Sequence, residues 1–488
     1  MSDKPASGIQ FLLPPGSRSR GIDHDTPSKD LPSILGGRSR AARDNRDPFI
    51  NDHVVSVEAV FDLAGAARGV GDSDSSEWVD DNRVLALEAT DGTTLIVRAD
   101  KLKADLARLY PDQALRSSAN GELLDLSVLH DQEAAARGVG SWIWSSLTIL
   151  DIAPDSLVEA AKDKARDLLK ETLGEAFLTA ASKQLIEGGA SWAGTKALMW
   201  AIESRLDGEP GLYRWGSNKQ IQPHDRVTAD EPALLEAAAN NHPMLIFIHG
   251  TASSTLGSYG SLREGNDEGC WDNLTRDFAG HVYGFEHRTF SESPLENALQ
   301  LARTLPKGAN ISLITHSRGG LVGDLLCIGE ITDDMISRYQ RKPVLDRFGQ
   351  ESDENRRLRE AVAQQEREQL KELRSLLESK QFNIRRYMRV ACPASGTSML
   401  ADNLDLFLSG LLSLINTAVG LLPVVGTIGG ATLSALRRIV LEIARNRIDP
   451  QLIPGIEAML PSSPMTVLLA QAKRRDGVDM AVIAGNAD

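Results

Sequence analysis

Cysteine is scarce in this sequence: Cys270, Cys327 and Cys392 are the three in 488 residues, at no short repeated spacing. That argues against a disulfide framework and a clustered zinc site, and it fits a reducing compartment. Basic residues are also short, with 53 Lys and Arg against 67 Asp and Glu and a net charge of −14. A phosphate backbone needs a basic face, so nucleic acid is not an expected partner. Met1 to Arg20 holds no unbroken apolar run, so the sequence predicts no signal peptide and a cytoplasmic protein.

What is present is ordinary globular composition, 42% hydrophobic and 25% charged, in a chain long enough for two or three domains. Residues 1–48 are rich in Ser, Gly, Pro, Arg and Asp and read as a mobile tail. Residues 49–125 read as a small β-rich module: a strand over His53 to Leu63, then Val84 to Ala89 paired with Thr94 to Arg98 across Asp91-Gly92. A helix follows over Lys101 to Leu109, with Leu102, Leu106 and Leu109 on one face. Residues 126–210 read as a helical connector in which Leu157, Ala161, Ala165 and Leu168 share a face. Its tryptophans, Trp144, Trp192 and Trp200 among them, read as core packing.

Residues 211–488 carry the chemistry. Asn310 to Gly323 reads N-I-S-L-I-T-H-S-R-G-G-L-V-G: a short buried strand, a turn of small residues bearing Ser317, then helical spacing from Leu321. A serine in such a turn serves either as a helix cap or as an exposed nucleophile. Upstream, Met244 to Ile248 forms a strand that ends in His249-Gly250 before a loop rich in Ser, Thr and Gly. A loop of that kind supplies a backbone N–H to a developing oxyanion, the second donor coming from the residue after the nucleophile, here Arg318. Each such donor lowers the barrier by about 3 kcal/mol. Residues 331–382 read as an insertion of polar helices with sparse apolar positions and mixed charge. Residues 406–436 contain no charged side chain. Helices covering the site, ordinary buried helices and a membrane-spanning segment remain open readings of that run, within an insertion over 401–447.

From about residue 240 onward the chain resembles the lipase and esterase branch of the α/β-hydrolase fold, about half of its length. The residues that carry the likeness are His249-Gly250, the elbow at Ser317, the strand end C-P-A-S-G-T from Cys392, and P-G-I-E-A-M-L-P from Pro454. The resemblance implies an α/β architecture: a doubly wound, mostly parallel sheet with helical lid insertions, preceded by the β-rich module and the connector. It implies a serine carboxylic ester hydrolase acting through an acyl-serine intermediate on a lipid-like or apolar ester, with no metal or organic cofactor. Ser317 becomes the nucleophile, Gly250, Thr251 and Arg318 the oxyanion loop and donors, and Asp488 the acid, with Asp402 and Asp405 as alternative acids. Contact with a membrane surface through 406–436 goes with this reading. The N-terminal half more faintly resembles large bacterial proteins in which a lipase-like domain accompanies a caspase-like peptidase domain.

One departure is sharp. The family places its general-base histidine after the nucleophile, yet all nine histidines here precede Ser317, the last being His316. Two expectations follow. Either the chain stops before its final strand, helix and base, which its ending on a strand favours, or the domain is a non-catalytic interaction module that kept the fold. A thiol nucleophile is the weakest alternative, since no cysteine sits in an elbow.

Overall fold

Burial alternates from Val55 to Glu58, up to a bulge in the Val55–Asp62 strand, but is unbroken from Met244 to Ile248, so the first stretch has one solvated face and the second is covered on both. The computed structural model describes residues 8–22, 30–36, 55–63, 76–90, 93–118, 121–130, 144–152, 164, 167, 192–204, 209–216, 221–264, 269–343, 350–351, 353–397, 404, 407–410, 412, 437–445 and 448–484. The chain divides into two units, Met1–Ser156 with Asn403–Ile448, and Leu157–Asp402 with Asp449–Asp488.

The first unit holds strands β1 (Gly8–Leu12), β2 (Arg18–Arg20), β3 (Val55–Asp62), β4 (Ser76–Asp80), β5 (Val84–Ala89), β6 (Thr94–Arg98), β7 (Leu115–Ser118), β8 (Gly121–Asp125) and β9 (Trp144–Ile152). They form two sheets, in the orders β2-β3-β9-β5-β6 and β4-β1-β8-β7. The expected hairpin is there, β5 against β6 from Val84–Arg98 to Glu88–Thr94. Helix α1 (Ala99–Leu109) buries Leu102 and Leu106, whereas Leu109 at its end is exposed.

Three expectations are corrected in this unit. Residues 1–48 are not all tail: β1 lies between β4 and β8, and its Ile9 and Phe11 are buried, so even this short apolar stretch is held by ladders on both sides. The connector is not all helical either, because β9 pairs with both β3 and β5. Its Leu147 and Ile149 alternate into the core, a period of two that the neighbouring tryptophans obscured. The helical face proposed over Leu157 to Leu168 lies outside the described residues. Finally, Asn403–Ile448 belongs with this unit rather than inserting into the C-terminal domain. The Ser409 hydroxyl accepts the Ile96 N–H at 3.0 Å, and Arg437 Nε donates to Ile34 O at 2.6 Å. Most of 406–436 lies outside the described residues. Among the described residues no helix is long and apolar enough to cross a membrane.

The second unit is built on one seven-stranded sheet. Its strands are β10 (Gly211–Arg214), β11 (Arg226–Val227), β12 (Pro243–Ile248), β13 (Val282–Glu286), β14 (Asn310–His316), β15 (Asn383–Val390) and β16 (Asp479–Ile483), in the order β11-β10-β13-β12-β14-β15-β16. Pairings from β13 through β16 are parallel, and β10 and β11 continue antiparallel beyond β13. The helices that matter to the site are α2 (Trp192–Glu203), α3 (Pro294–Thr304), α4 (Gly319–Leu326) and α5 (Asp353–Lys380).

Local chemistry sets the ends of these helices. Helix α3 starts at Ser293, whose hydroxyl accepts the Glu296 N–H while the Glu296 carboxylate accepts the Ser293 N–H, with Pro294 preset in the first turn. The 28 residues of α5 carry dense charge, yet Leu358, Val362, Leu370, Leu373 and Leu377 form a buried stripe. Glu366 fills the gap in that stripe and is met by Arg341 in two hydrogen bonds of 2.8 Å. This segment, expected to be mainly solvated, therefore has a core face as well as a charged one.

Candidate active site

Strand β14 ends at His316 and α4 begins at Gly319, so Ser317 and Arg318 make the whole turn. Ser317 has φ of 51°, in the left-handed region, which costs a residue with a Cβ about 1–2 kcal/mol. Backbone bonds hold it there: its N–H donates to Val390 O and its carbonyl accepts the Gly320 N–H, each at 2.9 Å. Its side chain is partly exposed, and the hydroxyl makes no hydrogen bond to any described residue.

The turn presses against the loop after β12. A Cβ added to Gly319 would stand 2.5 Å from His249 O and 2.6 Å from Ile248 O, and one added to Gly250 would stand 2.8 Å from Ser317 Cβ. Gly319 is needed because backbone meets backbone there, and Gly250 because Ser317 Cβ and His316 Nδ1 fill the space a Cβ would take. Thr315, two residues before the serine, is accommodated fully buried, its hydroxyl donating to Met388 O at 3.3 Å.

Ala252 and Ala391 also have left-handed φ, of 54° and 50°. With Ser317 they follow the carboxyl ends of β12, β15 and β14. Asn241, Ala279 and Gln381 are left-handed as well, in the turns leading into β12, β13 and β15, so what marks Ser317 is its place after a parallel strand, where ligand sites of open α/β sheets lie. Among the described residues, the N–H groups of Gly250, Thr251 and Arg318 donate to no partner, which leaves them available to a ligand oxygen. The Thr251 side chain is buried with its hydroxyl toward Met459 Sδ at 3.8 Å.

Arg318 has a second role that its motif position did not announce. Its side chain is fully buried: Nε donates to Gly455 O at 3.1 Å, Nη1 to Asn297 Oδ1 at 2.9 Å and Nη2 to Glu292 O at 2.6 Å. Burial lowers its pKa to about 10, and Glu203, Glu292 and Glu296 oppose that drop. The guanidinium is thus charged at neutral pH directly behind the turn. Glu292 is pushed up to about 7, by burial first and then by Glu296 and Glu203.

Several histidines gather near the turn without a hydrogen bond to Ser317. His249 is buried, stacks on His287 with ring centroids 4.0 Å apart, and lies 3.5 Å from a Glu286 carboxylate oxygen. Burial lowers the pKa of His249, His287 and His316, so all three imidazoles are neutral at pH 7. His316 Nδ1 contacts the Ser258 hydroxyl at 3.4 Å, and a Cβ added to Gly250 would stand 3.0 Å from that nitrogen as well as 2.8 Å from Ser317 Cβ. Among the described side chains no histidine hydrogen-bonds Ser317. Asp488, expected as the acid, lies outside the described residues, as do Asp402 and Asp405. Burial raises the thiol of Cys327 to about 12 and that of Cys392 above its ordinary value, which keeps both protonated. Among the described residues no cluster of His, Cys, Asp or Glu could hold a metal ion.

Of the residues named from the sequence, Gly250 lies against Ser317, with Thr251 and Arg318 next to them in the chain; Glu203, Thr289, Asn297 and Glu292, bonded around this turn and loop, carry no local signature. Glu203 meets the 289–291 loop across 86 to 88 positions, a separation with no signature in a single sequence.

Fold and turn together define an α/β protein that presents a strained serine at the carboxyl edge of a mostly parallel sheet. Residues 212–338 and 366–487, more than half of the chain, match the family described as a domain of unknown function (DUF7379), and the chain belongs to that family. No curated protein and no solved structure matches it.

Proposed function

We propose that residues 211–488 form an α/β-hydrolase domain and that the protein is a carboxylic ester hydrolase with Ser317 as its nucleophile. The observation that carries the reading is the left-handed φ of Ser317 in a two-residue turn pressed against the His249-Gly250 loop. A structural helix cap has no need of that strain. In the reaction the Ser317 oxygen attacks the ester carbonyl carbon, and the carbonyl oxygen takes the developing charge toward the N–H groups of Thr251 and Arg318. The C–O bond then breaks, the alcohol leaves with a proton, and water releases the acid from the acyl-serine. The likeness to lipases and esterases makes an apolar acyl group the first substrate class to try.

No described side chain hydrogen-bonds the Ser317 hydroxyl, and that observation favours a second reading, a non-catalytic interaction module on the same fold. A fluorophosphonate probe on the full-length gene product separates the two. The hydrolase reading expects adduct formation mapped to Ser317 and abolished in Ser317→Ala. A full-length protein that stays unlabelled, under conditions that label a control esterase, overturns it.

A further inference from the structure

Helix α2 ends, before the family-matched residues begin, in a carboxylate that holds part of the site. Glu203 is buried, and its two oxygens accept the backbone N–H groups of Thr289 at 2.8 Å, Phe290 at 3.0 Å and Ser291 at 2.9 Å, together with the Ser291 hydroxyl. The Thr289 hydroxyl stands between this carboxylate, 3.5 Å from Oε1, and the oxyanion loop, where it accepts the Ala252 N–H at 3.0 Å. A hydroxyl has one proton to give, so donation toward Glu203 leaves its lone pairs facing Ala252. Ala252 is the strained residue next to Thr251, and among the described residues this bond is the one its N–H makes.

We propose that Glu203, acting through the Thr289 hydroxyl, is a positioning residue that fixes the 250–252 loop so that the Thr251 N–H faces the reacting oxygen. This rests on the hydrolase reading for its catalytic consequence but not for the anchoring itself. Ala252 without its tie relaxes from the left-handed region, and the adjoining peptide turns with it. The family-matched residues alone therefore lack one support of their own site, and the α2 helix that precedes them supplies it.

The test uses the full chain and the variants Glu203→Gln, Thr289→Val and Thr289→Ser. Two readouts apply: amide hydrogen exchange of residues 249–254, and fluorophosphonate labelling resolved into a maximal rate and a half-saturating probe concentration. Thr289→Val is nearly isosteric and keeps the test alive where Glu203→Gln fails to fold. The expectation is faster exchange in Glu203→Gln and Thr289→Val, and a maximal labelling rate down about ten- to hundredfold with half-saturation unchanged, as a misplaced reacting group gives. Thr289→Ser, which keeps the hydroxyl, restores both. Exchange at the wild-type rate in both disruptive variants overturns the anchoring. Loosened exchange with unchanged labelling overturns the catalytic role. A wild type that never labels while the variants still loosen overturns the hydrolase reading and supports the anchoring.

Discussion

Arg318 Nη1 donates to Asn297 Oδ1 at 2.9 Å, joining the residue after Ser317 to the interior of helix α3 across 21 positions of sequence. Asn297 in turn donates through Nδ2 to Glu292 Oε2 at 2.6 Å, so the turn is anchored to a chain of buried polar groups. The backbone N–H of Arg318 is proposed as an oxyanion donor and its side chain fixes where that N–H lies. On the hydrolase reading, one residue therefore serves both the oxyanion and the rigidity of the turn.

Arg318→Met removes three donors at once and leaves Gly455 O, Asn297 Oδ1 and Glu292 O facing no partner. The expected loss is about 3 kcal/mol of stability, since each buried acceptor left unpaired costs roughly 1–3 kcal/mol and partial rearrangement recovers some of it. Arg318→Lys recovers little, because a single ammonium cannot span acceptors laid out for a fork. Urea midpoints of the three proteins check this, and a Lys variant as stable as wild type would show that the fork geometry does not matter.

Ser317 offers the opposite sign. With φ at 51°, glycine at this position relieves left-handed strain that serine and alanine both carry. Ser317→Gly is expected to be more stable than Ser317→Ala by about 1 kcal/mol while neither reacts with a phosphonate probe. Calorimetric melting of the two variants decides it: equal transition temperatures would mean that the turn is not strained in solution.

The parts of this molecule legible in its sequence are those whose physics is local. The strands β12 and β14 announced themselves as apolar runs, the hairpin β5–β6 as two such runs around Asp91-Gly92, and the turn at Ser317 as small residues between strand and helix. Helix α5 showed its apolar stripe but not that Glu366 within it would be buried, because the partner Arg341 lies 25 positions away. Strand β9 was hidden by its length of tryptophan and serine, and β1 by the polar residues around it. The tie from Glu203 to the 289–291 loop is set by how helices pack on the sheet, which spacing does not encode.

Gly319 tests the close approach at the turn. A methyl group there meets the carbonyl oxygens of His249 and Ile248, which belong to the end of a central strand and have no room to retreat. Gly319→Ala is expected to destabilise by about 2–3 kcal/mol, at the upper range of overpacking, and to end phosphonate labelling because the oxyanion loop is pushed from the serine. A variant that folds with wild-type stability and labels normally would mean that the loop and the turn stand farther apart than this geometry places them.

Glu292 ties the pH dependence of stability to the same network. Its carboxyl, ordinarily near 4.5, is raised to about 7 by burial and by the charges of Glu296 and Glu203. A group whose folded value is raised holds its proton more tightly in the native state, so its contribution is complete below about 4.5 and is lost as pH rises through about 7. The full shift corresponds to about 3 kcal/mol, but part of the side chain remains accessible, so the loss is on the order of 1–2 kcal/mol. Glu292→Gln keeps an acceptor for Asn297 Nδ2 and removes the titration. Wild type should therefore lose stability relative to this variant between pH 4.5 and 7.5, and the two should run parallel above that window. Urea midpoints measured across the range test it. Curves that stay parallel from pH 4.5 upward would show that Glu292 ionises near its ordinary value in the folded protein and is charged beside Arg318 at neutral pH.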